Sequence, residues 1–210
     1  MLAAEEAQDG NYADLVKRYE SGGDYAAMND ASTAAGAYQI TYGTLIDYGM
    51  IDESQSSRPD FDDNTDWDSV TWTGKHGVES LSDFHGNESA QDAVFSELTQ
   101  RNWNTISGST PVGEEVNGVP MTQSGALNAA HMLGPGGYQD WASCGFQASC
   151  LDPEKAASNN MTVDEWQDHL MNRVAEGGGY DSDMVMDGDF GGGNAAQMPE
   201  ISLMPWKIVE

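Results

Sequence analysis

The chain has 210 residues, 39% of them hydrophobic, with 35 acidic residues against eight basic ones for a formal net charge of -27. Its length suits one domain with a core plus extra segments, and six Trp, eight Tyr and five Phe supply the large apolar surfaces that a disordered chain lacks. The charge excludes nucleic-acid binding through phosphates and a basic membrane-surface helix, since both need clustered Lys and Arg; it fits a surface adapted to saline surroundings, with a dedicated cationic partner as the alternative.

The opening Met1-Leu2-Ala3-Ala4-Glu5-Glu6 has neither the basic region nor the apolar core of a secretory signal. No apolar run is long enough to span a membrane. Asn11 is placed to cap a helix through Tyr12, Leu15, Val16 and Tyr19, which share one apolar face. Ser21-Gly22-Gly23 stops that helix and leaves Glu20 at its end, facing a loop. From 36 to 50 an apolar pattern resumes with Tyr38, Ile40, Leu45 and Ile46 and predicts a second helix or helical turn.

Residues 51 to 80 read as an inserted acidic loop or small hairpin, with Val70-Thr71-Trp72-Thr73 as its short strand. Within it Asp60, Asp62 and Asn64 imitate the first positions of a calcium loop. Thr65 stands where that loop needs glycine and Thr71 where it needs its closing Glu, so a solvated acidic run is expected and no metal. A helix follows over about 89 to 106, with Ala90, Val94 and Leu98 on its apolar stripe. Residues 108 to 120 read as a loop, and 122 to 133 as a helix ended by Gly134-Pro135-Gly136-Gly137. Cys144 and Cys150, the only cysteines, permit a short-loop disulfide or two free thiols equally. Thr162 and Glu165 form a capping box before a helix whose face is Val163, Trp166, Leu170 and Val174. Beyond about Asp181 the chain turns glycine-rich and acidic, and it finishes with Leu203, Met204 and Trp206 in an apolar cluster.

Cleaving a glycosidic bond needs a carboxylic acid that can protonate the departing oxygen. A Glu at a helix end beside small residues suits that task, because the glycines leave room for sugar rings. Glu20-Ser21-Gly22-Gly23, followed sixteen residues after Glu20 by Gly36-Ala37-Tyr38-Gln39-Ile40, resembles the first two motifs of the lytic transglycosylases and their phage relatives. Ser82-Asp83-Phe84 with Gln91 and the 89 to 106 helix looks like the helix that such enzymes pack behind their cleft. Ala129-Ala130-His131-Met132-Leu133-Gly134-Pro135-Gly136-Gly137 is similar to their third motif, with His131 at the usual tyrosine position and Met132 at the usual asparagine.

The resemblance covers roughly residues 11 to 181 and implies a mainly α, lysozyme-like (α+β) fold. The expected organisation is a single helical domain over 1 to 181, with the 51 to 80 insertion and an extended tail over 182 to 210. It further implies a peptidoglycan lytic transglycosylase that cleaves the MurNAc-GlcNAc β-1,4 bond with Glu20 as sole catalytic acid/base and no cofactor. Ser21, Tyr38, Gln39 and His131 are the expected substrate-binding residues. As structural residues, Ser21 would be a turn former, Tyr38 and Gln39 would tie loop backbone, and His131 would be a satisfied core histidine. A muramidase would need a second carboxylate, for which Asp24, Asp30 and Asp47 are available.

The expected partners are peptidoglycan glycan strands and, through the 182 to 210 tail, other proteins of a phage particle, with no nucleic acid and no membrane span. The expected location is the virion, acting on the host wall or periplasm. The alternatives are a muramidase endolysin and a structural virion protein that retains the scaffold.

Overall fold

The computed structural model describes residues 11–29, 32–55 and 67–180. Among these the chain is mainly helical, with seven α-helices and one two-stranded ribbon. Most of the acidic run, including Asp60, Asp62 and Asn64, lies outside the described residues, as do Asp30 and the 182 to 210 tail. The chain divides into two compact units, one of Ala13–Leu98 and one holding Tyr12 and the residues from Thr99 onward. The boundary after Leu98 falls within a helix.

The Ala13–Leu98 unit begins with α1 (Tyr12–Ser21), which buries Ala13, Leu15 and Val16. Gly22 and Gly23 stop it with φ of 68° and 88°, a region where a side chain is strained and glycine is not. The helix or helical turn expected over 36 to 50 is preceded by a tight non-helical turn. Ala35 bridges both Met28 and Ile40, and Gly36 and Gln39 hold φ of 78° and 48°, so no helix can form there. It starts only at Thr41, whose hydroxyl caps α2 (Tyr42–Asp47) by accepting from the Thr44 amide.

The strand expected at 70 to 73 reduces to one bridge between Ile51 and Trp72, flanked by Asp52 N donating to Thr71 O at 2.9 Å and Thr73 N to Met50 O at 3.0 Å. Ser80 caps α3 (Leu81–Gly86), and α4 (Glu88–Ile106) follows. Phe84, Val94 and Phe95 are buried, as are Leu45, Met50 and Ile51, each worth about 1.5–3 kcal/mol relative to exposure.

In the other unit, α5 (Gln123–Ser143) and α7 (Val163–Gly177) pack closely enough for backbones to touch. A Cβ at Gly125 would stand 2.5 Å from Val174 O, and one at Gly177 would stand 2.7 Å from Ser124 O. Asn128 Nδ2 donates to Arg173 O at 2.8 Å and Ser124 Oγ to Tyr180 O at 2.8 Å, so the seam carries polar ties as well. Thr162 and Glu165 form the expected capping box of α7, and Trp166, Leu170 and Val174 are buried.

Gly134, at φ 72° and ψ 157°, breaks α5 where the sequence expects it to end, yet the helix resumes through Ser143. Proline has no amide hydrogen and a helical φ, so Pro135 opens the second stretch as readily as it closes the first. Pro153 plays the same starting role in α6 (Pro153–Ser158). The 108 to 120 loop contains a hairpin of β1 (Glu115–Val116) and β2 (Val119–Pro120). Asn117 and Gly118 turn it with φ of 52° and 83°, which the mirror-image type of two-residue turn requires.

Cys144 and Cys150 are joined in a disulfide. It closes the loop that carries Phe146 into edge contact with Trp141, at 4.9 Å between ring centroids.

Candidate active site

Glu20 is half-buried in the last turn of α1. The turn beyond it is closed by the backbone: Gly23 N donates to Lys17 O at 3.1 Å and Asp24 N to Ser21 O at 3.4 Å. A Cβ built on Gly22 or Gly23 would meet nothing within 4 Å, so both glycines look onto open space. Ser21 reaches further. Its hydroxyl bonds Ala37 O at 2.9 Å and Lys17 O at 3.4 Å, and it accepts from Gly23 N at 3.2 Å. The helix end that carries Glu20 is thereby fastened to the turn that carries Tyr38 and Gln39.

That second turn leans on α4. Gly36 is required there twice over: its φ is 78°, and an added Cβ would come within 2.7 Å of Gln91 Cδ. Gln91 is fully buried and all of its amide is used. Oε1 accepts from Ala37 N at 2.8 Å, while Nε2 donates to Tyr25 O at 2.9 Å and to Phe84 O at 2.7 Å.

Tyr38 is 2% exposed. Its ring stacks on Phe95 at 4.1 Å and its hydroxyl donates to Asp92 Oδ1 at 2.6 Å, which makes it a strut of the turn. Gln39 is half-buried and ties its own loop, with Nε2 donating to Gly36 O at 3.0 Å.

Asp92 also accepts from Tyr25 Oη at 2.9 Å, and Lys17 Nζ donates to that phenol at 3.2 Å and pairs with Asp14 at 3.1 Å. Burial, then the bond to the Asp92 carboxylate, pushes the Tyr38 phenol well above its ordinary value. Tyr25 moves the same way for the same two reasons in the same order. Burial pulls Lys17 down, but its bonds to Tyr25 and Asp14 outweigh that and its pKa is raised.

Asp92 was not legible as a site residue. The one available signal was its position three residues before Phe95 on α4, where an acidic residue shares a face with a buried aromatic.

His131 belongs to the other unit, half-buried on α5 three residues before the Gly134 break. Of the carboxylates available to a hydrolase, Asp24 is exposed and caps the Ala26 amide at 2.8 Å, and Asp47 is half-buried at the end of α2. Among the described residues no group of three or more His, Cys, Asp or Glu is placed to hold a metal ion. Nor is any of their helices long and apolar enough to cross a membrane. Comparison with protein-family models, with curated proteins and with solved structures found no match to this chain.

Proposed function

We propose that this chain is a lytic transglycosylase that cleaves the MurNAc-GlcNAc bond of peptidoglycan with Glu20 as its only acid/base. One observation carries the reading: Ser21 Oγ bonds Ala37 O at 2.9 Å across sixteen positions. That bond joins the two segments whose spacing carries the resemblance. A half-buried carboxyl beside two glycines that face open space suits a bulky polymer better than it suits a core.

In the reaction Glu20 gives its proton to the glycosidic oxygen, and the N-acetyl oxygen of the muramic sugar attacks the anomeric carbon as that bond breaks. The Glu20 carboxylate then takes the proton of the 6-hydroxyl, whose oxygen displaces the N-acetyl group and closes a 1,6-anhydro ring. No water is consumed and Glu20 regains its proton, so no second carboxylate is needed. Ser21 and the Tyr38-Gln39 turn set where Glu20 points.

Replacement of Glu20 by Gln should lower wall degradation by at least about a thousandfold, the scale expected when the sole proton donor is lost, with the melting temperature unchanged. Activity that survives Glu20→Gln ends the assignment. Mass spectrometry of the released muropeptides should find anhydro ends; reducing ends would make the enzyme a muramidase.

The reading extends to delivery by a phage particle, to which the 182 to 210 tail would dock. Deletion of that tail should leave cleavage by the purified protein intact and remove it from particles; a truncated protein still found on particles would defeat that part.

A further inference from the structure

Bonds from the α1 residues on either side of Glu20 in sequence run into a closed circuit. Lys17 O accepts from Ser21 Oγ and from Gly23 N. Ser21 Oγ reaches Ala37 O, and Ala37 N reaches Gln91 Oε1. Tyr38 and Tyr25 share the Asp92 carboxylate, and Tyr25 takes a bond from Lys17 Nζ, which returns the circuit to α1. Glu20 lies in sequence between Lys17 and Ser21, the two residues through which the circuit passes on α1.

Two neighbouring residues of α4 therefore clasp both loops. Gln91 holds them by their backbones, at Ala37 and Tyr25, and Asp92 holds them by their side chains, at Tyr38 and Tyr25. Both phenols donate to one carboxylate oxygen, and bonds to a charged acceptor are about twice as strong as bonds to a neutral one, so loss of the charge loosens the hold on both loops.

We propose that Asp92, supported by Gln91, is the positioning residue of the Glu20 site: by holding Tyr25 and Tyr38 on one carboxylate it fixes the direction in which the Glu20 turn presents its acid. This rests on the glycosidase reading. A merely stabilising network would lower the melting temperature and leave the turnover of folded enzyme alone. A positioning role predicts a loss in kcat with KM retained, because misdirected acid weakens the transition state and leaves ground-state binding of the glycan as it was.

The test is steady-state kinetics on purified peptidoglycan well below the melting temperature, for wild type, Asp92→Asn and Tyr38→Phe. Ultraviolet titration of the phenols at alkaline pH accompanies it. Asp92→Asn keeps the shape and an acceptor oxygen but removes the charge. It should lower kcat by about tenfold or more with KM within about twofold, and should shift the late-ionising phenols to lower pH. Tyr38→Phe keeps the ring on Phe95, loses only the hydroxyl, and should lower kcat by less. Should Asp92→Asn not fold, the Tyr38→Phe kcat decides by itself.

Full kcat in folded Asp92→Asn, or a change confined to KM, overturns the positioning role and leaves the glycosidase reading standing. Absence of cleavage by the wild type, or full activity in Glu20→Gln, overturns both.

Discussion

The α5–α7 seam and the Glu20 turns solve the problem of holding two segments together in opposite ways. At the seam the chain removes side chains: Gly125 and Gly177 let backbone meet backbone, and a Cβ on either would fall within 2.7 Å of a carbonyl oxygen. At the turns the chain supplies side chains, and Gln91 and Asp92 reach from α4 to amides, carbonyls and phenols that the turns cannot satisfy themselves. The seam is a matter of volume and tolerates no addition. The clasp is a matter of hydrogen-bond inventory and tolerates no subtraction.

The strongest test of that contrast puts a methyl group on Gly177. Alanine ordinarily favours a helix over glycine by about 1 kcal/mol. At Gly177 the new Cβ would stand 2.7 Å from Ser124 O and 2.8 Å from Gly125 Cα, both of them backbone atoms that cannot swing away. Overpacking of this kind costs up to about 3 kcal/mol, so the steric cost should win and Gly177→Ala should lower stability by about 2 kcal/mol net of propensity. Equilibrium urea unfolding measures it, and a more stable variant would mean that the two helices can part without loss.

The same contrast explains which parts of the molecule could be read in advance. Helix α7 was open to reading because its signals are local: Thr162 with Glu165 three residues on, then Trp166, Leu170 and Val174 at helical spacing. The end of α1 at Ser21-Gly22-Gly23 is local in the same sense. The hairpin at Asn117-Gly118 also has a local turn signal, but its two-residue strands give no alternation, and the sequence there reads only as a loop.

Other features depend on partners far away in the chain. One of the two reasons for Gly36, the close approach of Gln91 from 55 positions on, exists only in the folded chain. Nothing near Tyr38 in the sequence announces the partners that hold its two ends, Asp92 and Phe95. Pro135 illustrates a third case, in which one residue type serves as both a stop and a start signal and periodicity does not choose between them. The cysteine spacing allowed a bond that only the fold of the 144–150 loop brings about.

A smaller effect separates the two regions by pH. The phenols of Tyr25 and Tyr38 are raised by burial and then by Asp92, and that of Tyr138, in the α5–α7 unit, is pushed up by burial to about 12. Each folded-state pKa exceeds the unfolded value of 10.0. Their contribution to stability is therefore complete below pH 10 and is lost as pH climbs through the folded values, where the unfolded chain ionises first and gains. For the fully buried Tyr38 the loss approaches about 1.4 kcal/mol per pH unit once pH exceeds 10.

Denaturant unfolding should be nearly independent of pH up to about pH 10 and then weaken, up to pH 11.5, with the summed slopes of the three phenols and of Lys17, whose raised pKa acts with the same sign. The substitution Tyr138→Phe removes the share of the α5–α7 unit from the pH dependence. What remains belongs to the clasp, and it should shrink when Asp92→Asn is added, because the second cause of the Tyr25 and Tyr38 shifts is then gone. A residual slope indifferent to Asp92→Asn would mean that burial alone holds those phenols neutral.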